Sequence, residues 1–394
     1  MRVMRRSVFK DPNKLSLTYI PPRIPYRESK LSQLKEYFEN VIIGKLNYEH
    51  VFITGNTGTG KTLVAKHFER YIYTINKEHD KSIIPIYVNA RLERSPGNII
   101  RKMISTILPG KISRGYSLEE IYSGFLSYLI DNDKKAILIL DDADHLFTMY
   151  PEFIYKLSRA EEASPNFTNY LSIIFVVHRD DILNNLDPWT AAGLHKNIVK
   201  FEDYSYKELR DILLYRSSEA FNEGAITIQT INTAADITTA YNYNARYAIE
   251  LLYKAGLIAD KKGEEVVKPE HVREARVNSA PAFSLQELES LQNHEKLLLY
   301  TLAETLSLKE EAYVTMGDLE RRYREIASLY GLKPVGHTWI WKMVNMLSTL
   351  GYITKKISGE GHRGKTSLIG LPSLPATLLM KELQKILKRD INNG

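Results

Sequence analysis

The feature that most constrains this chain is a glycine-rich turn between an apolar run and an amphipathic segment, in HVFITGNTGTGKTLVAKHF. The pattern GxxxxGKT lets backbone N–H groups surround an anion, and the N-terminus of the following helix adds its positive dipole. It requires a buried strand before it and a helix after it, which predicts an α/β domain. The predicted phosphate site consists of Gly55, Asn56, Thr57, Gly58, Thr59, Gly60, Lys61 and Thr62.

Side chains in two segments have predicted roles in nucleotide chemistry. Lys61 should reach the β- and γ-phosphates, and the Thr62 hydroxyl should ligate magnesium. The run AILILDDADHL supplies carboxylates at the end of another strand. Asp141 is the predicted metal-side carboxylate, and Asp142 is the candidate that polarises the attacking water. The alternative is a polar turn after a buried strand. The predicted cofactors are ATP or ADP with Mg²⁺.

Five short apolar runs define the first part of the chain, namely HVFITG, SIIPIYVNA, KKAILILDDAD, LSIIFVVHRD and KNIVKF. They do not alternate, which is typical of strands buried on both faces of a parallel sheet. Residues 1–203 are therefore predicted to be a doubly wound α/β domain. Residues 204–279 carry only helical patterns, and residues 280–394 form a third unit after a linker at 276–286.

The third unit has three amphipathic segments followed by two short strands around a glycine-rich tip, which predicts a winged helix. On the third helix, the spacing predicts a core face of Trp341, Val344, Leu347 and Leu350. The opposite face holds the candidate major-groove contacts, Thr338, Trp339, Lys342 and Asn345. The wing tip holds the candidate phosphate or minor-groove contacts, His362, Arg363 and Lys365.

Charge supports a polyanionic partner for this unit. The whole chain has a net charge of +6, whereas residues 331–394 alone carry ten basic and three acidic residues, a net +7. Double-stranded DNA fits this distribution, although winged helices also dock proteins.

The absence of cysteine excludes disulfides, thiolate metal sites and cysteine catalysis. No apolar run approaches a membrane span or a signal peptide, so a cytoplasmic protein without a membrane partner is predicted.

The order of these motifs resembles the archaeal origin-recognition and cell-division-control replication initiators of the AAA+ superfamily. The segments YIPPRIPYRE, FIYKLSRA and YNARYAIELL add smaller matches. The resemblance implies an AAA+ base domain, a helical lid and a C-terminal winged helix. It also implies an ATP-dependent switch that binds replication-origin DNA and recruits other replication factors. A paralogous initiator subunit and the replicative helicase are the implied partners.

The resemblance also assigns individual residues. It places four residues near the adenine, for which the alternative is an arm packed on the sheet edge: Ile20, Pro22, Tyr26 and Arg27. Arg246 corresponds to the sensor 2 arginine, although a surface salt bridge is the alternative. Lys111 and Arg114 lie where relatives insert a DNA-touching element, or in an ordinary basic loop.

Three departures from the family pattern predict slow hydrolysis. Asp142 replaces the usual glutamate and is shorter by about one methylene. The sensor 1 asparagine is replaced by His178 or Arg179, although a hydrogen-bonded loop residue is the alternative for His178. Trp189 stands where relatives carry a basic residue. A catalytic AAA+ motor or remodelling ATPase with a protein-docking winged helix is the alternative function. A transcription regulator on the same architecture is a third.

Overall fold

The computed structural model describes residues 7–79, 82–107, 116–163, 168–178, 182, 186, 188–194, 197–238, 244–277, 288–309, 313–357, 367–371 and 376–392. The chain divides into two compact units, Met1–Ser279 and Ala280–Gly394. Within the described ranges, no helix combines the length and apolar character that crossing a bilayer requires.

A five-stranded sheet forms the centre of the first unit. Its strands are β1 (His50–Gly55), β2 (Ile83–Asn89), β3 (Lys135–Asp141), β4 (Leu171–Val176) and β5 (Asn197–Phe201). The spatial order is β2-β3-β4-β1-β5, and every neighbouring pair is parallel. The central strands are buried on both faces, as their continuous apolar runs predict. The predicted α/β class is confirmed.

The described part of the base domain contains seven α-helices. They are α1 (Glu28–Ile42), α2 (Lys61–His79), α3 (Pro96–Ile107), α4 (Leu118–Asp131), α5 (Asp144–Met149), α6 (Pro151–Ser158) and α7 (Pro188–Gly193). Apolar residues of α1 and α2 share one core with one face of the sheet. Those of α3, α4 and α6 share a second core with the opposite face. Both faces are therefore covered, and the glycine-rich turn follows β1 at the carboxyl ends of the parallel strands.

The lid contains four described helices, α8 (Tyr206–Ala220), α9 (Ile228–Thr238), α10 (Ala245–Lys262) and α11 (Pro269–Val277). Helix α8 begins with a capping box in which Ser205 and Glu208 each accept from the other's backbone N–H. Asn244 caps α10, and Gly263 ends it in the left-handed conformation at φ +70°. These local signals fix the lid helix that carries Arg246.

The N-terminal segment packs into the lid. Phe9 stacks on Phe221 with ring centroids 4.9 Å apart, and the Val8 N–H donates to Asp260 Oδ1 at 2.7 Å. Leu15 is also buried in the lid core. The sequence places this segment in the base domain, but its contacts are with helices more than 200 residues later.

The second unit is built around a small antiparallel sheet. Its elements are α12 (Asn293–Lys309), β6 (Val314–Thr315), α13 (Met316–Leu329), α14 (His337–Thr349), β7 (Thr354–Ile357), β8 (Ser367–Gly370) and α15 (Ala376–Asn392). The strand order is β6-β8-β7, and the β7–β8 pairing runs from Thr354 opposite Gly370 to Ile357 opposite Ser367. The predicted winged helix is confirmed. Strand β6 and helix α15, which packs against α12, extend it.

Candidate functional site

The glycine-rich turn lies at the end of β1, where the chain enters α2. Lys61 is buried, and its ammonium donates to the carbonyl oxygens of Gly55 at 2.7 Å and Asn56 at 2.8 Å. Burial lowers the Lys61 pKa to about 8, while nearby carboxylates, Asp142 first, oppose that shift. The Lys61 ammonium donates to two neutral carbonyl groups, so it suits an anionic ligand, because a phosphate would place a negative charge in direct contact with it.

Asp141 ends β3 as a buried carboxylate, only 1% exposed. Its Oδ1 atom accepts from the Thr62 hydroxyl at 3.2 Å and from the Asp142 N–H at 3.2 Å. Its Oδ2 atom accepts from the Tyr87 hydroxyl at 2.6 Å. Burial raises the Asp141 pKa to about 6, and the charge of Asp142 adds to the shift. Burial also raises the Tyr87 pKa, so the phenol remains a donor.

The two predicted metal-side residues, Thr62 and Asp141, therefore lie together. In the part of the chain that the structure describes, no group of three or more His, Cys, Asp or Glu side chains is arranged to hold a metal ion. Magnesium is held through one or two carboxylates, several waters and substrate phosphates rather than by an all-protein cage. The Thr62–Asp141 pair fits magnesium that arrives with a nucleotide, whose phosphates would supply the other oxygen ligands.

Asp142 and His178 form a second polar group beside this pair. Asp142 adopts the left-handed conformation at φ +55°. His178 Nε2 lies 3.4 Å from Asp142 Oδ1, and its Nδ1 lies 2.8 Å from Asp144 Oδ2. The His178 N–H also donates to Asp144 Oδ1 at 2.8 Å. Asp144 therefore orients His178 toward the candidate water-polarising carboxylate. Sequence reasoning missed Asp144, although it is the last acid of LDDAD.

The lid reaches the glycine-rich turn through Asn244. A Cβ atom built on Gly58, whose φ is +83°, would lie only 2.1 Å from Asn244 Oδ1. The same oxygen caps α10 by accepting from the Tyr247 N–H at 3.1 Å. Arg246 follows two residues later and is exposed, and its charge acts on the buried Lys61. The predicted lid arginine is thus near the phosphate turn.

The four arm residues predicted near the adenine have different surroundings. Arg27 is 5% exposed. Its Nε donates to the Thr59 carbonyl at 2.7 Å and its Nη2 to the Glu202 carbonyl at 2.7 Å, while its guanidinium lies 3.9 Å from the Tyr204 ring centroid. Arg27 therefore holds the phosphate turn and the start of the lid together. Tyr26 donates to Asp211 of α8 at 2.5 Å. Ile20 is partly buried and Pro22 is exposed.

Helix α14 exposes three of the four predicted DNA-contacting residues that it carries. Thr338, Trp339 and Lys342 are exposed, and the Lys342 ammonium lies 5.7 Å from the Trp339 ring centroid. Asn345 is only partly buried, but its Oδ1 already accepts from Lys355 of β7 at 2.7 Å. The sequence does not predict this contact between Lys355 and Asn345, because no local pattern links a strand lysine to the preceding helix.

The core face of α14 differs from its prediction at one position. Val344, Leu347 and Leu350 are buried, as predicted, whereas Trp341 is only partly buried. Ile340 takes the inner position and is fully buried. The Lys355 ammonium lies 4.8 Å from the Trp341 ring centroid, so this indole covers the strand lysine at the edge of the core.

Comparisons with known proteins cover the whole architecture. Residues 47–186 match the AAA domain, residues 210–277 the Cdc6 AAA+ ATPase-type lid domain, and residues 286–379 the CDC6 C-terminal winged helix domain. The ORC1-type DNA replication protein 2 of Saccharolobus solfataricus is 31% identical over 376 residues, which cover 93% of this chain and 91% of that protein. The chain belongs to the ORC1-type DNA replication proteins.

Solved structures agree with this ORC1-type assignment. The Aeropyrum pernix ORC1 protein in complex with DNA aligns with a TM-score of 0.76 and 26% identity, covering 97% of both chains. Cdc6p from Pyrobaculum aerophilum aligns with a TM-score of 0.62 and 26% identity, covering 98% of this chain and 100% of that one. The family predicted from the motifs is confirmed.

Several predicted site residues of this ORC1-type chain lie outside the described residues. They are Lys111, Arg114, Arg179, His362, Arg363 and Lys365. Trp189 lies in α7, and its side chain is outside the described part of the structure. Three positions were predicted to depart from the family pattern. The side chains of Asp142 and His178, at two of them, are described and lie beside each other.

Proposed function

We propose that this ORC1-type chain is an ATP-dependent switch that binds double-stranded origin DNA and recruits other replication factors. The observation that carries the switch is the contact between the lid and the phosphate turn, where Asn244 lies against Gly58. A ligand shifts a conformational equilibrium only through contacts that differ between its states. A γ-phosphate that meets Arg246 in one nucleotide and not in the other supplies such a difference.

The nucleotide site consists of the eight turn residues, Gly55 to Thr62, with Lys61 on the β- and γ-phosphates. Thr62 and Asp141 hold the magnesium side, and Asp142 polarises the attacking water. The arm residues form the adenine side: Ile20, Pro22, Tyr26 and Arg27. The bound magnesium would neutralise phosphate charge and orient the phosphoryl group, while these side chains fix its position. The supporting observation is the 3.2 Å hydrogen bond from the Thr62 hydroxyl to Asp141, which lies beside a buried lysine.

The DNA site lies in the winged helix. Helix α14 would enter the major groove with Thr338, Trp339, Lys342 and Asn345. The support is the exposure of its N-terminal residues, the net +7 of residues 331–394, and the related Aeropyrum pernix protein solved in complex with DNA. The wing residues His362, Arg363 and Lys365, and the base-domain residues Lys111 and Arg114, stay predictions of further DNA contacts.

The partners follow from the proposed role. An initiator that marks an origin acts with a paralogous subunit and delivers the replicative helicase, so both are proposed partners.

Hydrolysis is expected to be slow because Asp142 is short and the sensor 1 asparagine is absent. The cytoplasmic location also stays a prediction.

The DNA role is tested by titrating labelled duplexes at several salt concentrations. Lys342→Ala should weaken binding to the preferred site by ~1–3 kcal/mol if a base contact is lost. Lys381→Ala is the matched control, because it removes one exposed lysine from α15 of the same unit. Equal losses in both variants would show that only the net charge of the domain matters. No loss in Lys342→Ala would remove α14 from the interface.

The switch role is tested by single-turnover hydrolysis of bound ATP. We expect slow turnover that self-association does not strongly accelerate. Turnover of ~1 s⁻¹ or faster would contradict the switch and favour the alternative motor. DNA-stimulated steady-state turnover would point the same way.

A further inference from the structure

Asp141 has a hydrogen-bond partner that the family motifs do not assign. The hydroxyl of Tyr87 donates to Asp141 Oδ2 at 2.6 Å. The other carboxylate oxygen, Oδ1, faces the Thr62 hydroxyl at 3.2 Å. The two oxygens therefore have different environments. Oδ2 is bonded to the side chain of Tyr87 in the sheet, and Oδ1 faces the phosphate turn.

The sheet register explains how Tyr87 reaches this carboxylate. Strands β2 and β3 are parallel, with Tyr87 opposite Ile139 and Asn89 opposite Asp141. Residues two apart on a strand share a face. Tyr87 is opposite Ile139, which precedes Asp141 by two residues, so the side chains of Tyr87 and Asp141 lie on the same face of neighbouring strands. A phenol is long enough to span that diagonal. A shorter hydroxyl on β2 would not reach.

The ring of Tyr87 is itself held in place. The ammonium of Lys66, on α2, lies 2.9 Å from the ring centroid, and the same ammonium pairs with Glu69 at 3.0 Å. Lys66 is on the helix that begins with Lys61 and Thr62. The phenol is thus fixed between the sheet and the nucleotide helix, which limits the rotamers open to it.

We propose that Tyr87 is a positioning residue for magnesium-bound nucleotide. By holding Asp141 Oδ2, it leaves Oδ1 aimed at the metal position beside Thr62. The inference rests on the proposed nucleotide site and adds a specific determinant of its metal dependence. Outer partners that orient a metal-side carboxylate commonly change metal affinity by 10–100-fold when they are removed.

The test is Tyr87→Phe, which removes only the hydroxyl. The full-length protein is titrated with a fluorescent β,γ-imido analogue of ATP in EDTA, and then with magnesium chloride at fixed analogue. We expect the affinity of Tyr87→Phe for the analogue in EDTA to stay within about twofold of that of the unsubstituted protein. The magnesium half-point, which is the magnesium concentration that gives half of the magnesium-dependent change in binding, should rise about 10-fold or more. Asp141→Asn gives the upper limit of the magnesium effect.

The matched control is Tyr71→Phe. Tyr71 is also partly buried in the core beneath α2 and also has a lysine ammonium over its ring, that of Lys35 at 3.9 Å. Its variant should leave the magnesium half-point unchanged, which separates the Asp141 contact from general loss of a phenol. Thermal melting of both variants checks that they fold.

Two results would overturn the inference while the nucleotide site stands. One is an unchanged magnesium half-point in Tyr87→Phe. The other is an equal loss of analogue affinity with and without magnesium, which indicates a purely structural role. If the unsubstituted protein binds the analogue without any help from magnesium, the metal role of Asp141 fails with the inference. If it binds no analogue at all, the proposed function itself fails.

Discussion

Substitution of Gly58 by alanine tests the contact between the lid and the phosphate turn. Two costs add at this position. Alanine at φ +83° is strained by about 1–2 kcal/mol. In addition, its Cβ would lie 2.1 Å from Asn244 Oδ1, where ordinary contacts begin near 3.4 Å, so the lid residue must move by more than 1 Å. That movement weakens the cap of α10, worth ~1 kcal/mol.

We therefore expect Gly58→Ala to cost roughly 2–3 kcal/mol. In calorimetry of the nucleotide-free protein, each kcal/mol lowers the melting midpoint of a unit of this size by about 2–4 °C. Gly44→Ala is the control for backbone strain alone, because Gly44 has φ +88° and nothing within 4 Å of its Cβ position. It should cost only the strain.

A double substitution decides whether Asn244 causes the excess. Asn244→Ser shortens the side chain and still caps the helix, so alone it should cost little. Combined with Gly58→Ala, it should relieve the clash and leave a coupling of ~1 kcal/mol. If the two substitutions add without coupling, or if Gly44→Ala and Gly58→Ala cost the same, the lid does not press on the phosphate turn as described.

The remaining predictions concern a buried histidine and two cations near the phosphate turn. His145 follows Asp144 in α5 and is buried. Burial lowers the His145 pKa to about 4, below the ~6.5 of the unfolded chain, so its stability contribution is present above pH 6.5 and is lost as pH falls toward 4. At pH 5 the loss is about 2 kcal/mol. In chemical unfolding, the free energy of unfolding should fall less steeply with decreasing pH in His145→Asn than in the unsubstituted protein. The exposed control His79→Asn should behave like the unsubstituted protein. The same pH dependence in all three proteins would contradict the argument. Lys61→Ala should abolish nucleotide binding in equilibrium titrations, whereas Arg246→Ala should keep it and reduce the difference between ATP and ADP forms in DNA affinity. An Arg246→Ala protein that still separates the two forms fully would exclude Arg246 as the sensor.

The sequence predicts the parts of this fold that depend on neighbouring residues. The apolar runs of the five parallel strands, the glycine-rich turn and Asp141 are all read from short stretches, because strand burial and phosphate binding impose local patterns. The three amphipathic segments of the winged helix are predicted for the same reason. Their periodicity gives the buried face of α14 to within one residue, with Ile340 inside in place of Trp341.

The contacts that the sequence does not predict join residues far apart in the chain. Asp144 and His178 are 34 residues apart, and Tyr87 and Asp141 are 54 apart. Each pair meets only because parallel strands end at the same edge of the sheet. The register that aligns them depends on the packing of the whole domain, and a single sequence contains no local pattern for it.

The packing of the N-terminal segment against the lid determines the order in which this chain can fold during synthesis. Ser7 and Val8 bind Asp260, which lies 253 and 252 residues later. At about 5–20 residues per second, the ribosome needs on the order of 10–50 s to make that partner available. The base domain is synthesised before then, so it can form while Phe9 and Leu15 still have no lid to cover them. The lid core closes only after most of the chain has emerged, so Val8, Phe9 and Leu15 are among the last residues to be buried, although they are made long before the lid.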